Sequence, residues 1–281
     1  MGTMTESAKA LLPELIKIRR DFHEYPELSG KEEETAKKVA AYLKEMGCDQ
    51  VIEHVGGHGV IGVIKGASEG GVVALRADMD ALQIQEMNET EYRSRNDGVM
   101  HACGHDNHMT GLLGAAKLLL ERRDQIHGTV KLVFQPAEEL SPVGGSRGML
   151  ESGYLDDAKA VYGLHVWPDL PHGKVGVKAG PLMAATDHFT ITIHGKTAHG
   201  AKPDQGIDAV VLGAQFVMAA QSIVSRKVDP LDNAVVTFGI FNAGTRYNII
   251  AGECVLDGTV RTLNENTRDM IEDSMRKLLD A

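Results

Sequence analysis

The sequence is short of four things, and each shortage narrows what it can be. It has no run approaching the roughly 18 to 20 uninterrupted apolar residues that a membrane helix requires. Its first residues, Met1-Gly-Thr-Met-Thr-Glu6, lack the basic-then-apolar pattern of a secretory leader. It is poor in cysteine: Cys48, Cys103 and Cys254 are odd in number and far apart, which argues against a disulfide framework and for a reducing, cytoplasmic setting. It has no surplus of positive charge either. Lys and Arg total 29 against 39 Asp and Glu, a formal charge of -10. The bases lie among acids, as in Lys31-Glu-Glu-Glu34 and Glu121-Arg-Arg-Asp124, and read as solvated helix faces. Phosphate neutralisation needs clustered bases, so neither a nucleic acid nor a membrane is expected as a partner.

What is present is an ordinary globular composition, 43% hydrophobic and 24% charged, over 281 residues, which fits two domains. Apolar residues at helical spacing mark a helix from Ala8 to Arg20, and a second runs from Glu32 to Met46, closed by Gly47. Short apolar runs at Val60–Ile64, Val72–Leu75, Val130–Phe134 and Ala160–Val166 read as buried strands, with a helix from Thr110 to Leu120 among them. That alternation predicts an α/β domain with a mostly parallel sheet over residues 1–183. From 184 to 281 the patterning changes. His188–His194 alternates polar and apolar residues. A helix near Asp208–Val224, strands at Ala234–Phe241 and Glu253–Arg261, and a helix over Thr267–Leu279 complete the order βαββα. This is a ferredoxin-like α+β unit without its final strand.

The chemistry-bearing residues fall at strand ends. Leu75-Arg-Ala-Asp-Met-Asp80 places Asp78 and Asp80 just past one strand. Phe134-Gln-Pro-Ala-Glu-Glu139 places Glu138 and Glu139 past the next, and Leu164-His-Val-Trp-Pro168 puts His165 at the end of a third. Ligands of open parallel sheets bind outside the carboxyl ends of the strands. Between the first two lies His101-Ala-Cys-Gly-His-Asp-Asn-His108. Thiolate, imidazole and carboxylate together suit zinc, manganese, nickel or iron. Two such ions activate a water and polarise a carbonyl, while a carboxylate outside the ligand set moves the proton.

Each residue alone has a plainer reading. Asp78 or Asp80 is then a loop residue, Glu138-Glu139 a solvated loop start, His165 a satisfied core histidine, Cys103 a small buried hydrophobe and Asp106 a helix cap. It is the joint pattern that points to a metal site. A cysteine nucleophile with a histidine and Asp106 is the competing enzyme class, but it leaves the other carboxylates idle and places a thiol among groups that raise its pKa. A structural zinc site ordinarily uses several paired cysteines, and one is present here.

With these motifs in view, the chain resembles the aminoacylase and carboxypeptidase family of cocatalytic metallohydrolases. The branch is that of N-acyl-amino-acid amidohydrolases, which includes hippurate and indole-acetyl-amino-acid hydrolases. Arg19-Arg-Asp-Phe-His-Glu-Tyr-Pro-Glu27, the three strand-end motifs, the cysteine-histidine motif and Ile193-His-Gly-Lys-Thr-Ala-His-Gly-Ala-Lys-Pro203 carry the likeness. The resemblance implies two divalent ions (manganese, zinc or nickel) held by Cys103, His105, Glu139 and His165. It makes Glu138 the general base and Asp80 an orienting group, acting on N-acyl amino acids or small peptides. It also implies a homodimer formed through the lid, residues 184–281, with His199 reaching a partner subunit's active site to stabilise the oxyanion. Asn248 and Arg261 would hold a substrate carboxylate. Members of the family continue for roughly a hundred further residues that supply a last histidine ligand and complete the lid. The alternative expectation is therefore a non-catalytic metal-binding or dimerisation fragment of the same fold.

Overall fold

A computed structural model describes residues 4–140 and 144–280. The chain divides into two compact units between Pro171 and His172.

In the first unit α1 (Met4–Glu24) and α2 (Glu33–Met46) precede β1 (Gln50–Val55), β2 (Gly59–Lys65) and β3 (Ser68–Asp78). Then come α3 (His105–Leu120), β4 (His127–Gln135), the short α4 (Gly145–Glu151) and β5 (Ala158–Gly163). The strands line up in the order β1-β2-β4-β3-β5. β3 is parallel to β4 and β5, and β2 is antiparallel to β1 and β4. Only β2 therefore runs against the rest, and the sheet is mostly parallel, in the α/β class that the patterning indicates.

The continuous apolar run of β2 is explained by burial on both faces. Val60 and Ile64 join the core under the first three helices with Phe22, Leu43, Met109, Leu113 and Phe134. Ile61 and Val63 face the opposite way, toward Met149 of α4. Strand β1 escapes sequence patterning because its polar Glu53 and His54 interrupt the apolar residues. A register shift follows Ile52, and His54 sits at φ 62. The helix expected from Thr110 starts at His105, since its first turn is buried but polar and carries no apolar period.

The second unit contains β6 (Ala185–His194), α5 (Ala209–Lys227), β7 (Ala234–Ala243), β8 (Glu253–Thr262) and α6 (Glu265–Leu279). Their antiparallel sheet has the order β6-β8-β7. Asp208 and Asn264 cap the two helices, accepting the Val210 and Asn266 N–H groups at 2.9 and 3.0 Å. Helix α5 reaches a mean hydropathy of 1.3, apolar and long enough by composition to match a membrane span. Its buried residues Ala209, Gly213, Phe216, Ala220 and Ile223 recur at helical spacing and join the core of this unit, with Leu256, Ile271 and Met275. The cysteines Cys48, Cys103 and Cys254 are free.

Candidate metal centre

Because β3 lies between β4 and β5 and runs parallel to both, three carboxyl ends sit side by side. β3 ends on Asp78, with Asp80 following, β4 leads into Glu138 and Glu139, and β5 leads into His165. The N-terminus of α3 supplies the fourth element. Gly104 precedes it at φ 87, where a Cβ would stand 2.4 Å from Val166 Cγ2, so only glycine lets Cys103 and His105 turn inward beside the strand end. The ligand atoms of Cys103, His105 and His165 lie within 4.8 Å of one another, as do those of His105, Glu138 and Glu139 and those of Asp78, His105 and His108.

Hydrogen bonds divide the three imidazoles into two kinds. His105 Nδ1 lies 2.8 Å from the Asp80 carbonyl oxygen and must donate to it, which leaves the buried Nε2 as a bare lone pair with no partner. His165 Nδ1 likewise donates to the Val166 carbonyl at 2.5 Å, and its Nε2 faces Cys103 Sγ at 3.3 Å. His108 is different, because its two nitrogens are held by a carboxylate and a backbone N–H. Its Nδ1 donates to Asp78 Oδ1 at 2.6 Å and its Nε2 accepts the Val166 N–H at 2.9 Å. It therefore steadies the backbone next to His165 and offers no free lone pair. Asp78 is also held by Arg76 Nη1 at 2.6 Å.

Asp80 Oδ2 accepts Ser29 Oγ–H at 2.6 Å and the Glu139 N–H at 2.9 Å. Burial opposes its charge, yet the bonds from His105, Ser29 and the Glu139 backbone hold its pKa down at about 2. Although its side chain is exposed overall, partial desolvation of the carboxyl and then the neighbouring charge of Glu139 push Glu138 above the ordinary carboxyl range. Burial, followed by Glu139 and Glu138, pushes the Cys103 thiol up to about 12. In that state the thiol is a poor nucleophile. The cysteine-nucleophile arrangement also fails on geometry. Asp106, instead of capping a helix or orienting a base for Cys103, lies inside α3, accepts from His23 Nδ1 at 2.7 Å and forms an ion pair with Arg19, Nε to Oδ2, at 2.8 Å.

The structure thus brings together Asp80, Cys103, His105, Glu138, Glu139 and His165 in the first unit. In the second unit His199 is exposed, and its Nδ1 accepts the Ala201 N–H at 3.0 Å. The Gly200 N–H next to it donates to the Asn248 carbonyl at 2.8 Å, while Asn248 Oδ1 is buried without a partner. Arg261, on β8, donates to Thr259 Oγ1 and to the Val260 carbonyl.

The family pattern described as peptidase family M20/M25/M40 matches residues 74–280, most of the chain and all the strand-end motifs. The chain belongs to peptidase family M20/M25/M40. The M20 relationship is close in sequence. The N-acetylcysteine deacetylase of Bacillus subtilis (strain 168) is 44% identical over 273 residues, covering 97% of this chain and 71% of that protein. The N-acyl-L-amino acid amidohydrolase of Geobacillus stearothermophilus is 45% identical over 278 residues, covering 98% of this chain and 75% of its own. A crystal structure of the Bacillus subtilis YXEP protein, described as a dinuclear metal binding peptidase from the M20 family, superposes with a TM-score of 0.83 at 41% identity. That match covers 96% of this chain and 69% of YXEP. The family is one of amide-bond hydrolases, the class that the resemblance implies.

Four further residues serve this site without having been singled out in the sequence: Ser29, Glu32, His23 and His108. His108 follows His105 by three positions on one helix face, a usable signal. The other three act across gaps of more than fifty residues, and no local pattern marks them.

Proposed function

We propose that this M20 chain hydrolyses the amide bond of N-acyl amino acids or small peptides at a centre of two divalent ions. The observation that carries the reading is the unclaimed, buried lone pair of His105 Nε2 beside His165 Nε2, which meets only the Cys103 thiol; each imidazole is fixed by a backbone carbonyl on its other nitrogen, and two carboxylates stand next to them. The donor set fits such ions. Unbound, it leaves a buried imidazole nitrogen and a buried Asp80 oxygen without partners and crowds acids against a thiol.

Cys103, His105, Glu139 and His165 would hold the ions, which supply water activation and carbonyl polarisation when bound. Glu138, exposed and raised in pKa, accepts the proton of the attacking water at its carboxylate. It then passes that proton to the leaving nitrogen. Asp80 fixes the tautomer of His105 and the backbone of Glu139. Soft thiolate and imidazole favour zinc or nickel, and the carboxylates also admit manganese. His199, exposed on a loop, is assigned to the oxyanion in a partner subunit's active site, and Asn248 and Arg261 to the substrate carboxylate.

The second unit is the proposed homodimer surface, since Val210, Val211, Leu212 and Met218 of α5 and Val235, Ile240 and Phe241 of β7 are exposed. Three free cysteines accord with a cytoplasmic location.

Hydrolysis of a hippurate-type substrate, with and without added manganese, tests the reading. A chelator is expected to abolish turnover. Glu138→Gln is expected to lower kcat by about 10² to 10⁴-fold while bound metal, read by elemental analysis, stays unchanged. Full activity of Cys103→Ser in metal-free buffer would overturn the assignment. Sedimentation at several concentrations checks the dimer.

A further inference from the structure

Glu32 is fully buried, at 0% exposure, in the turn between α1 and α2. A carboxylate in that setting is costly unless its oxygens are hydrogen-bonded. Its Oε1 accepts two backbone N–H groups, from Gly30 at 2.9 Å and from Ala137 at 2.7 Å, while Oε2 has no partner. The second bond spans 105 residues and lands on one of only two non-glycine residues with positive φ among those described, Ala137 at φ 49. An alanine holds that left-handed conformation only where its surroundings impose it.

The next residue is Glu138, and the one after it is anchored too. The Glu139 N–H donates to Asp80 Oδ2 at 2.9 Å, and Ser29 Oγ donates to the same oxygen at 2.6 Å. Two side chains of one turn thus grip the backbone on both sides of Glu138, one directly and one through Asp80. Glu138 itself is exposed and makes no side-chain hydrogen bond among the described residues, so its direction is set by that backbone.

We propose that Glu32, helped by Ser29 acting through Asp80, is a positioning residue that aims the Glu138 carboxylate. The proposal rests on the reading of Glu138 as the proton acceptor. Glutamine at position 32 keeps an oxygen for the Ala137 N–H, whereas alanine leaves that N–H and the strained turn unsupported.

The test compares Glu32→Ala, Glu32→Gln and Ser29→Ala with the control Glu33→Ala, whose parent side chain is exposed and paired with Lys37. Each protein is loaded with manganese. Steady-state kinetics on an N-acyl amino acid, bound metal and amide hydrogen exchange of a peptide spanning 135–140 are measured. Glu32→Ala is expected to lower kcat by about 10²-fold with KM within about twofold and metal content unchanged, as a displaced catalytic group does. Exchange in the 135–140 peptide rises selectively. Glu32→Gln restores most of both. Ser29→Ala, the milder change, is expected to lower kcat by roughly three- to tenfold, and it carries the test if Glu32→Ala does not fold.

Unchanged protection of the 135–140 peptide in Glu32→Ala overturns the proposal. So does a loss of activity that merely follows lost metal or lost folded protein, or a Glu32→Gln protein as impaired as the alanine variant. If the parent protein hydrolyses no N-acyl amino acid, the functional reading fails. Exchange in Glu32→Ala against Glu32→Gln then still decides whether Glu32 holds the turn.

Discussion

His23 sits between two carboxylates, its Nδ1 2.7 Å from Asp106 and its Nε2 3.1 Å from Glu86. The bond from Asp106 raises its pKa, burial works the other way, and Glu86 adds to the rise, leaving the net value above the ordinary 6.5. A histidine with a raised folded pKa contributes stability that is complete below its unfolded pKa and fades as pH climbs through the folded value. The melting temperature of the parent protein relative to His23→Gln is therefore expected to be largest below about pH 6.5 and to shrink above it. Circular dichroism melts across that range check this, and a difference independent of pH would refute it. None of it is legible in the Arg19–Glu27 stretch, where His23 looks like any histidine late in an amphipathic helix. Glu32 is equally mute, one acid in Lys31-Glu-Glu-Glu34, because its partner lies 105 residues on. Residues that announce themselves in sequence are those whose neighbours in the chain are also their neighbours in space. Cys103, Gly104 and His105 are the example here.

At the scale of elements, α3 begins under a tight constraint. Gly104, the residue just before it, combines φ 87 with a Cβ direction blocked by Val166. Gly104→Ala is expected to cost about 1 to 2 kcal/mol for the left-handed backbone and about 1 to 3 kcal/mol for the clash. Cys103 and His105 would also move apart. Thermal melts should record the first effect and zinc titration the second; a variant with parental melting temperature and affinity would show that the helix start is not fixed by this glycine. Strands β2, β3 and β4 and helices α2, α5 and α6 were readable because their apolar residues repeat with one period or fill a bounded run. Edge strand β1 and the seven-residue α4 were not. An edge strand with a register shift buries too little to pattern its sequence, and two turns of helix are too short for a period to emerge.

For the whole molecule, the acids Asp78, Asp80, Glu138 and Glu139 converge within a chain already carrying a net charge of -10. Bound cations would relieve that repulsion only in the folded state, so stability should follow metal by mass action. At a free ion concentration of about a hundred times Kd the gain is about 2.7 kcal/mol per site. Melts of chelated protein are expected at lower temperature, recovering on addition of zinc or manganese but not of magnesium, whose oxygen-only preference a thiol does not meet. Identical melts in all three states would remove the metal centre from the account. The change from a parallel α/β pattern to βαββα was legible across the chain, as were the strand-end positions of the proposed ligands. Pairing order was not, because sequence does not say that β3 comes to lie between β4 and β5.

Glu138 and Glu139 are chemically the same side chain on adjacent residues, and nothing in their composition tells the proposed proton carrier from the proposed metal ligand. Backbone phase alone distinguishes them. It is set where β4 ends at Gln135 and is locked at Ala137 by an acid from the other end of the unit. Removing one residue between Gln135 and Glu138 would bring Glu139 to the station of Glu138 and leave the station of Glu139 to Leu140. In this site, counting along the chain is itself part of the chemistry.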